Sequence, residues 1–115
     1  MPEINLFRNA DVQRELQAGD VLFEAGDHAE HLFGVISGSV ELHRGDEVVE
    51  TVGPGGVFGE VALLGDQTRT IGARAVTDGV VAVVDGDEFV RLIKMNAFFA
   101  LEVMRLMAVR LQRGD

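Results

Sequence analysis

The sequence predicts a mostly β protein with flanking helices, arranged as a double-stranded β-helix or jelly-roll barrel. From Gly19 to Val84, short apolar runs alternate with glycine-containing turns, which is typical of many short strands. From Asp85 onward, the apolar residues recur with helical spacing instead. The 115 residues suit one domain, with the barrel over about 17–84 and the C-terminal helices over about 85–112.

The elements of the barrel follow in order along the chain. A short N-terminal helix is predicted over 9–16, with Asn9 as a candidate N-cap. Apolar runs rich in β-branched and aromatic residues then predict strands. These runs are Val21–Phe23, Leu32–Ile36, Val40–Leu42, Val48–Val49, Ala73–Val76 and Val80–Val84. Turn signals such as Ser37–Ser39 and Arg44–Asp46 separate them.

Two helices are predicted after the barrel. Asp85 and Glu88 have the spacing of a capping box for a helix over about 86–95. Asn96 is a suitable N-cap for a second helix over about 97–112.

The second of these helices is apolar on more than one face. One stripe comprises Ala97, Leu101, Met104, Ala108 and Leu111, and a rougher one comprises Phe99, Val103, Leu106 and Val109. Because one barrel can cover only one stripe, the other is predicted to contact an effector protein or a second copy of the chain. We expect Phe99, Val103 and Leu106 to form that contact.

Composition and charge exclude several functional classes. The chain has no cysteine, so disulfides, thiolate zinc sites and cysteine nucleophiles are excluded. Its net charge of −9 opposes binding to a polyanion, and autonomous DNA binding is not expected. There is no signal-peptide pattern at the start and no run of 18 apolar residues. We therefore expect a cytoplasmic protein that does not contact a membrane.

The most informative segment is Phe58–Leu64, followed by Arg69 and Thr70 after a short polar loop. A glycine at Gly59 lets the backbone approach a ligand closely, and the free N–H groups of a following helical turn suit an anion. Arg69 adds a planar fork of donors for a phosphate. Glu60 can accept a hydrogen bond from a sugar hydroxyl. These features predict a cradle for a phosphorylated sugar, with no evident machinery for catalysis.

This segment resembles the phosphate-binding cassette of cyclic nucleotide-binding domains. The family pattern is roughly F-G-E-x-A-L, a variable loop and then R-[STA]-A. The residues that match it are Phe58, Gly59, Glu60, Ala62, Leu63, Arg69 and Thr70. The similarity extends over about 16–112, and the family includes the sensor half of the bacterial catabolite activator protein and the regulatory subunits of cyclic-AMP-dependent kinase.

The resemblance implies a sensor of a cyclic purine nucleotide, cAMP or else cGMP, rather than an enzyme. No cofactor besides that ligand is implied, and the signal would pass to a partner through movement of the C-terminal helices. Arg69 would bind the phosphate and Glu60 the ribose, with Thr70 on the phosphate or the purine edge. The complete set of predicted ligand-binding residues is Phe58, Gly59, Glu60, Val61, Ala62, Leu63, Arg69, Thr70 and Ile71.

The sequence departs from the family pattern in two places. Ile71 stands where relatives have a small residue, and its branched side chain could crowd the pocket. In relatives the last helix also runs on to place a residue over the purine. Here the sequence ends at about the point where that cover would begin, so the cover is missing, is supplied by another chain, or lies in a longer form of the protein. If it is missing, we expect the purine to be poorly covered.

Two alternatives keep the fold but change the function. In the first, Glu60 and Arg69 pair with each other and the domain is a ligand-free interaction module. In the second, less favoured alternative, the domain is a cupin-like metal enzyme that uses His28, His31 and His43. Their spacing does not match the H-x-H pattern of cupins, so solvated loop histidines are the better interpretation.

Overall fold

The strands form two four-stranded antiparallel sheets in the computed structural model, which describes residues 6–115. The strands are β1 (Gln13–Leu16), β2 (Val21–Phe23), β3 (Leu32–Ser37), β4 (Val40–Arg44), β5 (Glu47–Val52), β6 (Val57–Phe58), β7 (Gly72–Ala75) and β8 (Gly79–Val84). The first sheet has the order β1-β8-β3-β6 and the second the order β2-β7-β4-β5. Strands distant in sequence are neighbours in both sheets, as in a jelly roll. The predicted fold class is confirmed, although the two sheets do not close into a continuous barrel.

The space between the sheets holds the main core. Alternate residues of each strand point into it, because successive side chains of a strand lie on opposite faces. Three phenylalanines pack together at one end of this core, with the rings of Phe33 and Phe58 stacked 5.2 Å apart and Phe23 beside both. Phe58 is fully buried, so the strand that leads into the candidate site is firmly anchored.

The outer face of the first sheet is covered by helices. Leu32 and Val84 point to this face and pack with Phe89, Phe99 and Val103 of the C-terminal helices. Both faces of β3 and β8 are therefore apolar, whereas the second sheet has one face toward solvent. This second core fixes where the C-terminal helices lie relative to the sheets.

The three helices are α1 (Glu60–Leu64), α2 (Gly86–Met95) and α3 (Ala97–Arg113). The Asp85 side chain caps α2 by accepting from the Glu88 N–H at 2.8 Å. The Asn96 side chain caps α3 by accepting from the N–H groups of Phe98 and Phe99. The structure thus places both C-terminal helices where the sequence predicted them. None of the helices described in residues 6–115 is long and apolar enough to span a membrane.

The predicted helix over 9–16 is wrong. Residues 6–9 form a turn, and Gln13–Leu16 form β1, which pairs with Gly79–Ala82 of β8. Only Leu16 of this strand is buried, so its sequence has too few apolar residues to show a strand period. Residues 13–16 become a strand because they pair with the edge of β8. This tertiary pairing outweighs the local preference for a helix.

The predicted contact face of α3 is also wrong. Phe99 and Val103 are 6% and 3% exposed, because they pack on the outer face of the first sheet. The stripe that stays exposed is the other one, comprising Ala97, Leu101, Met104, Ala108 and Leu111. Both stripes are apolar, so the sequence could not show which one faces the sheet.

Candidate functional site

A sharp backbone turn connects β6 to the short helix α1. Gly59 makes this turn with a φ of 87°, a left-handed conformation that side chains disfavour. A Cβ atom at Gly59 would lie 3.0 Å from Arg69 Nη1 and 3.3 Å from the Phe33 ring. Glycine is therefore needed here both for the backbone conformation and for the close approach of the arginine.

Glu60 is the first residue of α1 and is completely buried. Its Oε1 atom accepts from Arg110 Nη1 of α3, whereas its Oε2 atom has no hydrogen-bond partner within residues 6–115. Burial raises the pKa of Glu60 above its ordinary value, and the charge and hydrogen bond of Arg110 offset only part of this rise. Glu60 is thus a buried acceptor with one oxygen hydrogen-bonded and the other without a partner in the described residues.

Arg69 lies on the other side of the site and is 5% exposed. Nη1 donates to the Gly59 carbonyl and Nη2 to the His31 carbonyl, each at 2.6 Å. The guanidinium carbon lies 4.0 Å from the centre of the Phe23 ring, a cation–π contact. Burial lowers the pKa of Arg69 from its ordinary value, but an arginine stays charged in proteins. Its Nε atom has no partner in the described part of the chain.

One cavity connects these groups. It is lined by Gly59, Glu60, Val61, Ala62, Arg69, Thr70 and Ile71, together with Phe23, Leu42, Arg110 and Asp115. The cavity is partly open to solvent, and its inner volume is about 30 Å³, room for about one water molecule. A nucleotide would therefore extend beyond it toward solvent, on the side of the exposed Thr70.

The structure brings seven of the nine predicted site residues to this cavity. Phe58 and Leu63 are the exceptions, because Phe58 packs in the core between the sheets and Leu63 packs against the helix-side core. Ile71 does face the cavity and is 9% exposed. Its branched side chain also belongs to the core between the sheets, so it occupies space at the inner wall.

The end of α3 also reaches the cavity, which the sequence analysis missed. Arg110 and Asp115 line it, and Arg110 also forms a bidentate pair with Glu50 of β5, at 3.0 and 2.7 Å. The Arg110 position continues the buried stripe of Phe99, Val103 and Leu106. A charged residue at a position that continues an apolar stripe was the sequence signal that could have revealed this contact.

A set of ion pairs holds this end of α3 to the β4–β5 hairpin. Arg113 pairs with Glu50 and Asp115 at 2.9 and 2.5 Å, and Arg44 reaches Asp115 at 3.3 Å. Partial burial alone would raise the pKa of Glu50, but Arg110 and Arg113 together hold it below its ordinary value. The carboxylates and arginines thus compensate one another around the mouth of the cavity.

The alternatives do not gain support from this geometry. Glu60 pairs with Arg110 and not with Arg69 in the described part of the chain, so the predicted structural pair of the interaction module does not form. His43 packs on Gly72 of the neighbouring strand, and the His31 backbone carbonyl accepts a hydrogen bond from Arg69. Among residues 6–115, no three His, Asp or Glu side chains are grouped so that they could hold a metal ion.

The jelly roll, the glycine turn and the two buried charges around one cavity are an arrangement suited to a small polar ligand. The family profile of the cyclic nucleotide-binding domain matches residues 13–96. The chain belongs to this family.

The chain has relatives in both bacteria and eukaryotes. The chain is 31% identical over 118 residues to the cyclic AMP receptor protein of Thermus thermophilus, covering 98% of this chain and 55% of that protein. It is 29% identical over 96 residues to the type II regulatory subunit of the cAMP-dependent protein kinase of Drosophila melanogaster, covering 84% of this chain and 26% of that subunit. The chain thus spans about half of the first relative and about a quarter of the second.

Solved structures have the same fold. A protein studied for a cyclic-GMP-dependent signalling pathway that regulates bacterial phytopathogenesis superposes with a TM-score of 0.77 and 32% identity, covering 98% of this chain and 94% of that one. The catabolite activator protein of Thermus thermophilus gives a TM-score of 0.74 at 29% identity, covering 96% of this chain and 60% of that one.

Proposed function

We propose that the domain binds a cyclic purine nucleotide, cAMP or cGMP, and reports its presence through the C-terminal helices. The observation that carries this proposal is the pair of unsatisfied polar atoms, Glu60 Oε2 and Arg69 Nε, on buried side chains around one cavity. A buried polar atom without a partner costs about 1–3 kcal/mol. A ligand that satisfies both atoms recovers that cost.

The chemistry of a cyclic nucleotide matches both atoms. Its phosphodiester is an anion, which accepts from the Arg69 guanidinium, and its ribose hydroxyl donates to a carboxylate such as Glu60. Gly59–Leu63 and Arg69–Ile71 would surround the sugar phosphate, with Thr70 toward the phosphate or the purine. Phe58 supports this segment from the core. The activity is binding rather than catalysis, with no cofactor besides the ligand.

A bidentate contact between the phosphate and Arg69 uses Nε, which is free in the described part of the chain, and one Nη atom, which must leave its present carbonyl. The Gly59 and His31 carbonyls that accept from it now are neutral, whereas a phosphate adds the attraction between opposite charges. Such a movement would change the shape of the cavity, because Arg69 is part of its wall. The change of Arg69 would therefore be coupled to the cavity wall, which includes the end of α3.

The relatives support a cyclic nucleotide without choosing the base, since one is named for cyclic AMP and another was studied in cyclic-GMP signalling. Titration calorimetry with cAMP, cGMP and the ring-opened 5′-AMP tests the proposal. We expect one molecule of a cyclic nucleotide to bind per chain and 5′-AMP to bind much more weakly. Absence of heat and of any thermal shift with both cyclic nucleotides would contradict the proposed function.

The partner in this proposal is a second copy of the chain or an effector helix, at the exposed stripe of α3. Ala97, Leu101, Met104, Ala108 and Leu111 alternate four and three residues apart, which is the spacing of a coiled-coil contact. Sedimentation of the protein and of a Leu101→Glu variant tests the dimer. The dimer is contradicted if both sediment as monomers at high concentration.

The proposal places the domain in the cytoplasm, because cyclic nucleotides signal inside the cell. It does not require contact with DNA or with a membrane.

A further inference from the structure

Arg110 is the most completely bonded charged side chain near the cavity. It is 2% exposed, and it donates to the Val57 carbonyl at 2.8 Å, to Glu60 and to both oxygens of Glu50. Val57, Glu60 and Glu50 belong to three different elements, β6, α1 and β5. One side chain of α3 therefore connects the candidate site to the second sheet.

Glu60 depends on Arg110 for its charge. A wholly buried carboxylate without a counter-ion binds a proton rather than remain ionised. Arg69 is the other cation of the cavity wall and interacts with Glu60 through its charge, but its hydrogen bonds go to two backbone carbonyls. Arg110 is thus the only cation paired with Glu60 in the described residues.

Arg110 also determines which carboxylate oxygen is available. Its Nη1 atom engages Oε1, so that Oε2 is left without a partner. An ionised carboxylate with one oxygen held and one oxygen open is a strong acceptor in a fixed position. The same carboxyl in its protonated form, or free to rotate, would be a weaker one.

We propose that Arg110 is a positioning residue for ligand binding, which keeps Glu60 ionised and its Oε2 atom open to the ribose hydroxyl. Docking of α3 on the sheets is then a condition for tight binding. This inference rests on the proposed function. It also assigns the coupling between the site and the helices to one side chain.

Coupling of this kind is reciprocal. If a docked α3 strengthens ligand binding, a bound ligand must strengthen the docking of α3 by the same factor. Arg110 lies on the inner face of the helix, whereas Leu101, Met104 and Leu111 lie on the exposed stripe. Ligand binding would therefore hold the exposed stripe in one orientation on the domain.

The test compares two ligands and four proteins. cAMP and 2′-deoxy-cAMP differ in the hydroxyl that Glu60 would accept. The proteins are the wild type, Arg110→Met, Arg110→Lys and the matched control Arg105→Met, which alters an exposed arginine of the same helix. Affinities are measured by calorimetry, and folding is checked by circular dichroism and thermal unfolding.

The expected result is a selective loss. In Arg110→Met, the affinity for cAMP falls about tenfold or more, the size expected for one charged hydrogen bond. The affinity for 2′-deoxy-cAMP changes by no more than about twofold to threefold, so the preference for the ribose hydroxyl disappears. Arg110→Lys retains part of the preference, because its charge is kept, and Arg105→Met retains all of it.

A merely structural role for Arg110 gives a different pattern. Both ligands would then lose affinity equally in Arg110→Met, and the ratio between them would stay as in the wild type, which would overturn the inference alone. If the wild type binds neither ligand, the proposed function fails and the inference fails with it.

Removal of Arg110 leaves the buried Glu60 carboxylate without an ion pair, so Arg110→Met could fail to fold. The double variant Arg110→Met/Glu60→Gln avoids this unpaired charge. Its ratio between the two ligands should equal that of Glu60→Gln by itself. A further loss of that ratio in the double variant would also overturn the inference.

Discussion

Glu60 and Arg69 are the two buried charges of the candidate site, and the structure compensates them differently. Glu60 is paired with an arginine from another helix and keeps one free oxygen. Arg69 has no ion pair within residues 6–115; its charge meets two carbonyls and an aromatic ring. The charges of Glu60 and Asp27 act on Arg69 only from a distance, so the arginine end is a positive charge without a direct ion pair in those residues and suits an anion. The glutamate end has its ion pair only when α3 is packed on the sheets, because its partner Arg110 lies on that helix.

The difference separates the roles of the two ends. A cation among neutral dipoles gains most from an anionic ligand, so the arginine end should supply most of the affinity. A carboxylate that is already paired gains one more hydrogen bond, so the glutamate end should supply less affinity but more selectivity.

The largest effect is expected at the arginine end. Arg69→Ala should weaken cyclic nucleotide binding by about 2–4 kcal/mol, because a charge-assisted contact to the phosphate is lost. Arg74→Ala is the matched control, since Arg74 is an exposed arginine on β7 that pairs with Glu41. Calorimetry showing unchanged affinity in Arg69→Ala would mean that the phosphate does not bind at this end.

The turn between the two ends is the next point to test. Gly59→Ala should destabilise the fold by about 1–3 kcal/mol, because alanine is strained at a φ of 87°. Its Cβ would also lie 3.0 Å from Arg69 Nη1. Gly86→Ala at the start of α2, where a Cβ meets nothing within 4 Å, is the control. Equal unfolding free energies for both variants in denaturant titrations would refute the strain argument.

At the glutamate end the expected loss of affinity is smaller. Glu60→Gln keeps the shape but replaces a charged acceptor with a neutral one, which should cost about 1–2 kcal/mol of binding. Omission of the ribose hydroxyl from the ligand should cost this variant little more. Competition experiments with the 2′-deoxy nucleotide check this, and fully additive losses would exclude the contact between Glu60 and the hydroxyl.

The smallest effect concerns stability and pH. Arg110 and Arg113 hold the pKa of Glu50 below its ordinary value of 4.5, so its ionisation stabilises the fold above that pH. This contribution is lost as the pH falls through the folded-state pKa. The pKa of Glu60 is raised, so its ionisation has the opposite sign and costs stability as the pH rises above 4.5.

Glu50→Gln isolates the first of these two contributions. We expect a charge-dependent loss on the order of 1 kcal/mol or less at pH 7, because the carboxylate is partly exposed and screened by solvent. The difference from the wild type should shrink when thermal unfolding is followed to below pH 4.5. A difference that grows in acid would reverse the assigned sign.

Local signals in the sequence were sufficient for much of the fold. The glycine turns, the β-branched runs and the caps at Asp85 and Asn96 act through neighbouring residues, and the structure has strands and helices where they predicted them. The strand β6 was missed because its two residues are too short for a period. The β1 strand was predicted as a helix because its pairing partner lies more than 60 residues away along the chain.

The candidate site divides in the same way. The cassette could be predicted from the sequence, because Gly59, Glu60 and Arg69 lie within eleven residues and the chemistry expected of them follows from their types and order. The partners of each charged side chain, in contrast, depend on how distant parts of the chain pack together. Arg110 lies 50 residues from Glu60 and 60 from Glu50, and the choice between two apolar stripes of α3 brings it to the cavity. That choice depends on how the helix packs against the outer face of the first sheet, which no local pattern records.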